Sequence, residues 1–238
     1  MREMVSILML THNAPSYVKT SIESLRVSTI GVDYELVVVD NASESETRDL
    51  VSRFYQDGLI STLKLLEYNS LFAKGNNIAS NMASLEASHF LLLNSDVEIK
   101  DHSWLRNLVD IHRRGASSFG AIPGRPAKLD GYCFLIDADL YRKYQLDEQH
   151  EWWWSVTKLQ AQLLQDGYSV RGFKNHEKYL HHFGGASGDD HIAAKGMDTS
   201  PAEVARWFEG KRPEILDLTL RDKVRDFRLR IRDRFGAK

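Results

Sequence analysis

Four apolar runs in the first hundred residues each stop at a short polar cluster, and this repetition constrains the fold more than any other feature. Val5–Thr11 ends at Thr11-His12-Asn13, and Tyr34–Val39 at Asp40-Asn41. Thr62–Tyr68 leads into the Asn69–Asn77 stretch, and His89–Leu93 stops at Asn94-Ser95-Asp96. Apolar runs of this length bounded by polar residues read as buried strands. Helical patterns separate them: Val18, Ile22 and Leu25; then Leu50, Val51 and Phe54; then Ala73–Ala87, with Ile78, Met82 and Leu85 at helical spacing. Such alternation predicts right-handed βαβ units and an α/β fold with a mostly parallel sheet flanked by helices. All four polar clusters then fall along one sheet edge, where open α/β sheets bind ligands.

After Asn94 the alternation weakens. Trp104–His112 reads as a helix, and Ser117–Asp130, with Gly120, Pro123, Gly124 and Pro126, as a loop. Cys133–Ile136 and Tyr168–Phe173 read as short strands flanking a helix near Ser155–Gln165. Thr199-Ser200-Pro201 carries a capping hydroxyl followed by proline, the start signal of another helix.

Composition narrows the class. With 42% hydrophobic and 27% charged residues over 238 positions, the chain is of ordinary globular make-up. A single cysteine, Cys133, excludes a disulfide framework and a cysteine-based zinc site. The N-terminus has no signal-peptide layout, and no apolar run approaches the roughly 18 residues that span a bilayer, so the expectation is a cytoplasmic protein. Charge is uneven. Residues 221–238 hold eight basic and three acidic residues, a net of +5, which leaves −7 on residues 1–220 out of the formal −2.

The polar clusters invite specific chemistry. No G-x-G-x-x-G follows the first strand and no P-loop lysine motif is present, so a nucleotide would be held in another way. Asp96, a lone carboxylate just past a buried strand, suits a metal that bridges to phosphate oxygens, or a cap for the next helix. Asp40 can cap the helix that Asn41-Ala42-Ser43 leads into, and Asn76 and Asn77 can be turn residues. Lys74 reads as a solvated helix-start residue. Three consecutive indoles, Trp152-Trp153-Trp154, cannot all face one core, so at least one is expected to be exposed or to line a cleft.

The segments Ser6–Asn13, Val37–Ser43, Asn69–Asn77 and Leu92–Val97, in this order and spacing, resemble the family-2 glycosyltransferases with the GT-A fold, most of all the rhamnosyltransferase-like subgroup. Gly131–Ile136, Leu146–Glu148, Asp166–Tyr168 and His181–Ser187 resemble the family's acceptor half in part. The resemblance implies that Thr11, Asn13 and Asp40 hold the nucleoside, and that Lys74, Gly75 and Asn76 approach the nucleotide or its diphosphate. Asn94-Ser95-Asp96 stands where the family has D-x-D, so Asp96 would ligate Mn²⁺ or Mg²⁺, and His182, rather than His181, would complete the metal site. Trp153 and Trp154 are the candidate acceptor platform.

The chain departs from the family at one critical position. A Glu-Asp pair opens the helix before the family's Asp-Gly-Tyr turn and supplies the general base. Counting from Asp166-Gly167-Tyr168 and from Leu146-Asp147-Glu148 places that pair on Ser155 and Val156. Valine takes no proton. Glu151 is the first candidate for a displaced base, Asp147 and Glu148 are alternatives, and loss of activity is a third outcome.

The expected organisation is a sugar-nucleotide half over residues 1–98, an acceptor half over 99–195, and a C-terminal helical extension over 196–238. Leu216, Leu220, Val224, Phe227, Ile231 and Phe235 recur at helical spacing among arginines, a basic amphipathic helix. It suits packing on the acidic body or a second subunit, or contact with an anionic membrane face, better than nucleic acid. The implied reaction is metal-dependent, inverting transfer of a hexose or deoxyhexose from a UDP-, dTDP- or GDP-sugar to a hydroxyl of a glycan or lipid-linked glycan. The alternative is a catalytically degenerate sugar-nucleotide-binding or membrane-recruitment module.

Overall fold

The computed structural model describes residues 4–185 and 193–217. Seven strands of the first part and one of the last form a single eight-stranded sheet. In chain order the elements of its first half are β1 (Met4–Thr11), α1 (Pro15–Ser28), β2 (Asp33–Asp40), α2 (Ser45–Gln56), β3 (Thr62–Leu65), α3 (Leu71–Met82) and β4 (His89–Leu93). Then come β5 (Val97–Ile99), α4 (Trp104–Ile111), β6 (Gly115–Phe119), β7 (Ala121–Ile122), β8 (Lys128–Leu129), β9 (Cys133–Asp137) and α5 (Ala138–Tyr144). The chain continues with α6 (Trp154–Gln165), β10 (Ser169–Phe173), β11 (Leu180–His182), α7 (Pro201–Phe208) and β12 (Glu214–Ile215).

The sheet runs β12-β10-β6-β9-β4-β1-β2-β3. Every neighbouring pair is parallel except β9, which is antiparallel to both β4 and β6. The expected α/β architecture with a mostly parallel sheet is therefore present. The period of two along each strand sorts side chains to opposite faces. Ile7, Met9, Val38, Leu91 and Leu93 enter the core beneath α1, α2 and α4, whereas Leu8, Val37, Val39, Phe90 and Leu92 enter the core beneath α3, α5 and α6. Covered on both faces, these strands carry continuous apolar runs instead of alternation.

Several expectations need correction. The third strand stops at Leu65, and the segment read as a loop from Ser117 contains β6, β7 and β8. α3 ends at Met82, so Leu85 is 89% exposed, and the helix buries Ala73, Gly75, Asn76, Asn77, Ala79 and Ser80 instead. That small, polar face allows close approach: a Cβ on Gly75 would lie 2.8 Å from Leu10 Cδ1. Gly75 and Asn76 accordingly belong to a helix and not to a turn. At α7 the capping expectation matches, with Ser200 Oγ accepting from the Glu203 amide at 3.2 Å. The segment 196–238 supplies α7 and the edge strand β12, and the basic amphipathic pattern beyond Asp217 lies outside the described residues.

Candidate active site

The carboxyl ends of β1, β2, β4 and β6 share one edge of the sheet, and a cavity of about 570 Å³ opens there. Its floor is built from the polar clusters. Thr11 ends β1 and His12 follows it, Asn41 follows β2, and Asn94-Ser95-Asp96 follow β4. Asn76 reaches it from α3, with its side-chain amide donating to Phe72 O at 2.9 Å.

The β1 and β2 ends are cross-tied. Thr11 and Asp40 are register partners, and Thr11 Oγ1 donates to Asp40 Oδ2 at 2.8 Å. Ser43 gives Asp40 two further bonds, from its amide to Oδ1 at 3.0 Å and from its hydroxyl to Oδ2 at 2.5 Å. Asp40 is fully buried and serves the turn after β2; it is not among the residues lining the cavity. Asn13 has φ 52° and does similar work, donating its backbone amide to Ser43 Oγ at 2.8 Å and accepting the Glu44 amide on Oδ1 at 2.9 Å. Lys74 lies outside the cavity, fully exposed, with its ammonium 5.1 Å from the Tyr68 ring centre. The hydrogen bond its ammonium donates to the Tyr68 hydroxyl raises its pKa.

At the other wall, β11 pairs antiparallel with β5, and this places His182 over the residues that follow β4. His182 Nε2 lies 3.3 Å from Asp96 Oδ1. The imidazole stacks on Tyr132 with ring centres 4.3 Å apart and planes 17° apart. Asn94 N donates to Tyr132 O at 2.9 Å, which holds the Asn94–Asp96 turn against the start of β9. His181 faces the other way, is exposed, and meets Phe183 edge-on. One carboxylate and one imidazole converging at a polar cavity mouth fit a divalent cation that takes its remaining ligands from phosphate oxygens and water.

The three tryptophans separate as their spacing requires. Trp152 and the 41%-exposed Trp153 line the cavity, and Trp152 meets Phe72 edge-on at 6.3 Å. Trp154, expected at the acceptor platform, instead packs toward Val204 and Phe208 of α7, with the Lys128 ammonium 4.6 Å from its ring centre. Lys128 lines the cavity as well, and burial lowers its pKa against the opposing influence of Asp130.

Glu151 is not brought into the lining. Its carbonyl accepts the Phe72 and Ala73 amides, both at 3.1 Å, and caps the start of α3. Its carboxylate accepts the Lys195 amide at 2.7 Å. Asp147 is tied to Lys158 and His150, and Glu148 Oε1 accepts from Asn77 at 3.1 Å. Val156, where the family's base was expected, is 1% exposed in the apolar core, and Ser155 donates its hydroxyl to Trp152 O. Sequence reading gives no site role to Phe72, Lys128, Asp130 and Tyr132, which line the cavity, and names Trp152 only as one of three indoles of which at least one should be exposed or line a cleft. Phe72 lies in the first turn of α3, and Lys128, Asp130 and Tyr132 lie in β8 and the turn leading to β9, positions with no distinguishing sequence pattern.

A second group of titratable side chains, His89, His112 and Asp137, brings three ligand atoms within 4.8 Å of one another. It sits at the opposite end of β4, where His89 is the register partner of Asp137. Its carboxylate already accepts the Gly115 amide at 2.6 Å and pairs with Arg114 at 3.0 Å.

Comparison with known proteins identifies this architecture. The sequence model of Glycosyl transferase family 2 matches residues 6–166. Among curated proteins none matches by sequence. The fold is similar to the mannosyltransferase PcManGT of Pyrobaculum calidifontis, solved with GDP-Man and Mn²⁺, at TM-score 0.58 and 17% identity over 71% of this chain and 54% of that one. It is also similar to S. aureus TarS 1–349, at TM-score 0.61 and 16% identity over 88% of this chain and 71% of that one. For the TarS complex with UDP, the values are 0.54 and 18% over 68% and 55%. The chain thus spans about half the length of PcManGT and of the UDP-bound TarS chain.

Proposed function

The chain belongs to glycosyltransferase family 2, and we propose that it transfers a hexosyl or deoxyhexosyl group from a nucleoside-diphosphate sugar to a hydroxyl of a glycan acceptor, with inversion. The observation that carries this reading is the Asp96–His182 pair at the mouth of a cavity floored by three strand-end polar clusters. Mn²⁺ or Mg²⁺, held by Asp96 and His182 together with the donor's phosphates, would neutralise charge gathering on the leaving diphosphate. Thr11, His12 and Asn41 form the polar end of the cavity for the nucleoside, while Asn94 and Ser95 stand beside the diphosphate. Asp40 and Asn13 shape this end from behind by fixing the turns that carry the lining residues. Trp152 and Trp153 offer flat apolar faces to the sugar rings of the acceptor and exclude water from the reacting bond.

The finer reading is a rhamnose-like sugar carried on UDP, dTDP or GDP, with a glycan or lipid-linked glycan as acceptor. No helix among the described residues is long and apolar enough to cross a membrane. A cytoplasmic enzyme that meets its acceptor at the membrane face, or assembles as an oligomer, through the basic segment beyond Asp217 fits the charge distribution. A second reading, a binding module without transfer, is favoured by the apolar burial of Val156.

Thermal unfolding in the presence of UDP, dTDP and GDP, each with and without Mn²⁺, tests the donor site. A ligand at about 100 times its Kd adds ~2.7 kcal/mol of stability, so the expected outcome is a clear metal-dependent rise in Tm with one nucleotide. Absence of any metal-linked rise across the panel sinks the donor-site reading.

A further inference from the structure

Resting on the transferase reading, we infer that Asp130 is the general base that deprotonates the acceptor hydroxyl. Among the described residues two carboxylates line the cavity, Asp96 and Asp130. Asp96 is engaged with His182, on the side assigned to the diphosphate. The Asp130 carboxylate makes no hydrogen bond or ion pair among the described residues, although Lys128 and Tyr132 both feel its charge. An acid–base group has to reach the cavity with lone pairs available, and Glu151, Asp147 and Glu148 are not in its lining and bond to other protein groups.

The backbone beneath Asp130 is firmly held. Gln160, fully buried on α6, gives and takes two hydrogen bonds with the backbone of Leu129, at 2.7 and 2.9 Å, as a neighbouring strand would. The Asp130 amide donates to Gly120 O at 3.1 Å, and its carbonyl accepts Ser118 Oγ at 2.9 Å. Gly120, at φ 78°, leaves room for this arrangement; a Cβ there would sit 2.6 Å from the Tyr132 ring and 3.1 Å from Asp130 Cβ. The side chain therefore stands on a firmly held backbone in a cavity lined also by Trp152, Trp153, Tyr132 and His182.

Position 130 also adjoins the place where the base is missing. A Cβ on Gly131 would lie 3.0 Å from Val156 Cγ2, so the start of β9 packs directly on that valine. The carboxylate absent from α6 thus has a counterpart one residue away across this contact. In the step itself, the acceptor oxygen forms a bond to the anomeric carbon as its proton passes to the Asp130 carboxylate. The bond from that carbon to the donor's diphosphate oxygen breaks, and its electron pair leaves with the nucleoside diphosphate. In-line inversion requires the base to act on the face of the sugar away from the leaving diphosphate.

The test is transfer from a panel of UDP-, dTDP- and GDP-sugars to p-nitrophenyl glycosides, using for variants the pair that the wild-type chain uses best. Asp130→Asn keeps size and hydrogen-bonding capacity but removes proton acceptance. Its kcat is expected to fall by about 10²- to 10⁴-fold, and the acid limb of its kcat/KM profile to vanish. Nucleoside-diphosphate stabilisation in Mn²⁺ is expected to stay within two-fold of wild type, which separates a lost base from a lost donor site. Asp130→Glu should restore part of the rate. Transfer within five-fold of wild type in Asp130→Asn, or a larger loss in Glu151→Gln than in Asp130→Asn, overturns the assignment. Failure of the wild-type chain to be stabilised by any of the nucleoside diphosphates would instead remove the transferase reading beneath it.

Discussion

Asp96 and Asp40 both end buried apolar strands, and their sequence contexts are nearly alike. Their fates differ because of what stands opposite each. Asp40 meets Thr11 and Ser43 and spends its oxygens on them, while Asp96 faces an imidazole that arrives from more than eighty positions downstream. Such a long-range partner leaves no local mark, so the residue pattern leaves Asp96 open between metal ligand and helix cap, and only the family resemblance points to His182. The adjacent histidines make a discriminating pair, since the strand alternation sends them to opposite sides. His182→Ala is expected to weaken Mn²⁺-linked stabilisation by nucleoside diphosphate about ten-fold in apparent Kd, whereas His181→Ala should leave it unchanged. Equal effects from the two variants, read in the same titration, would show that His182 does not hold the cation.

Elements were readable to the extent that burial was paid out in large apolar side chains. β1, β2 and β4 announce themselves through valine, isoleucine and leucine, and their observed bounds lie within a residue or so of those expected. β6 did not, because Gly115-Ala-Ser-Ser-Phe119 is wholly buried yet small and partly polar. Ser118 satisfies its hydroxyl on Asp130 O and Cys133 O, so polarity there reflects a crowded interior and not a loop. α3 misled in the same way. Its apolar stripe points partly outward, and Asn77 on the buried face is the residue that fixes its neighbours. Asn77 donates to Leu146 O at 2.9 Å and to Glu148 at 3.1 Å, and accepts from Leu146 N and Tyr141 Oη, both at 3.0 Å. Removing it orphans a fully buried hydroxyl and two backbone groups, each worth about 1–3 kcal/mol. Asn77→Ala is thus expected to destabilise the fold by about 3 kcal/mol, measured by urea unfolding. A change below about 1 kcal/mol would mean that solvent repairs the gap.

On the scale of the whole molecule, the sheet has one edge for chemistry and one for closure. The carboxyl ends of the parallel strands leave their polar groups facing a cavity, whereas the far edge consumes its own. There Asp137 ends β9 beside His89, at the amino end of β4 and next to the start of β6. Burial acts to raise its pKa, but bonds from His112 and the Gly115 amide, with Arg114 beside them, outweigh that and bring it down to about 2. A carboxylate depressed in the folded state stabilises the protein above its unfolded pKa, and that contribution fades as pH falls from about 4 to about 2. The side chain is 14% exposed, so little screening intervenes, and a shift of this size corresponds to ~2 kcal/mol. Asp137→Asn should therefore lower stability at neutral pH by about that amount, with the wild-type and variant curves converging near pH 2. Because the cavity lies at the other end of β4, metal-linked nucleotide binding should persist in this variant. If Asp137→Asn instead abolished binding while leaving the acid limb of stability untouched, the two edges would not divide the labour as their hydrogen bonding indicates.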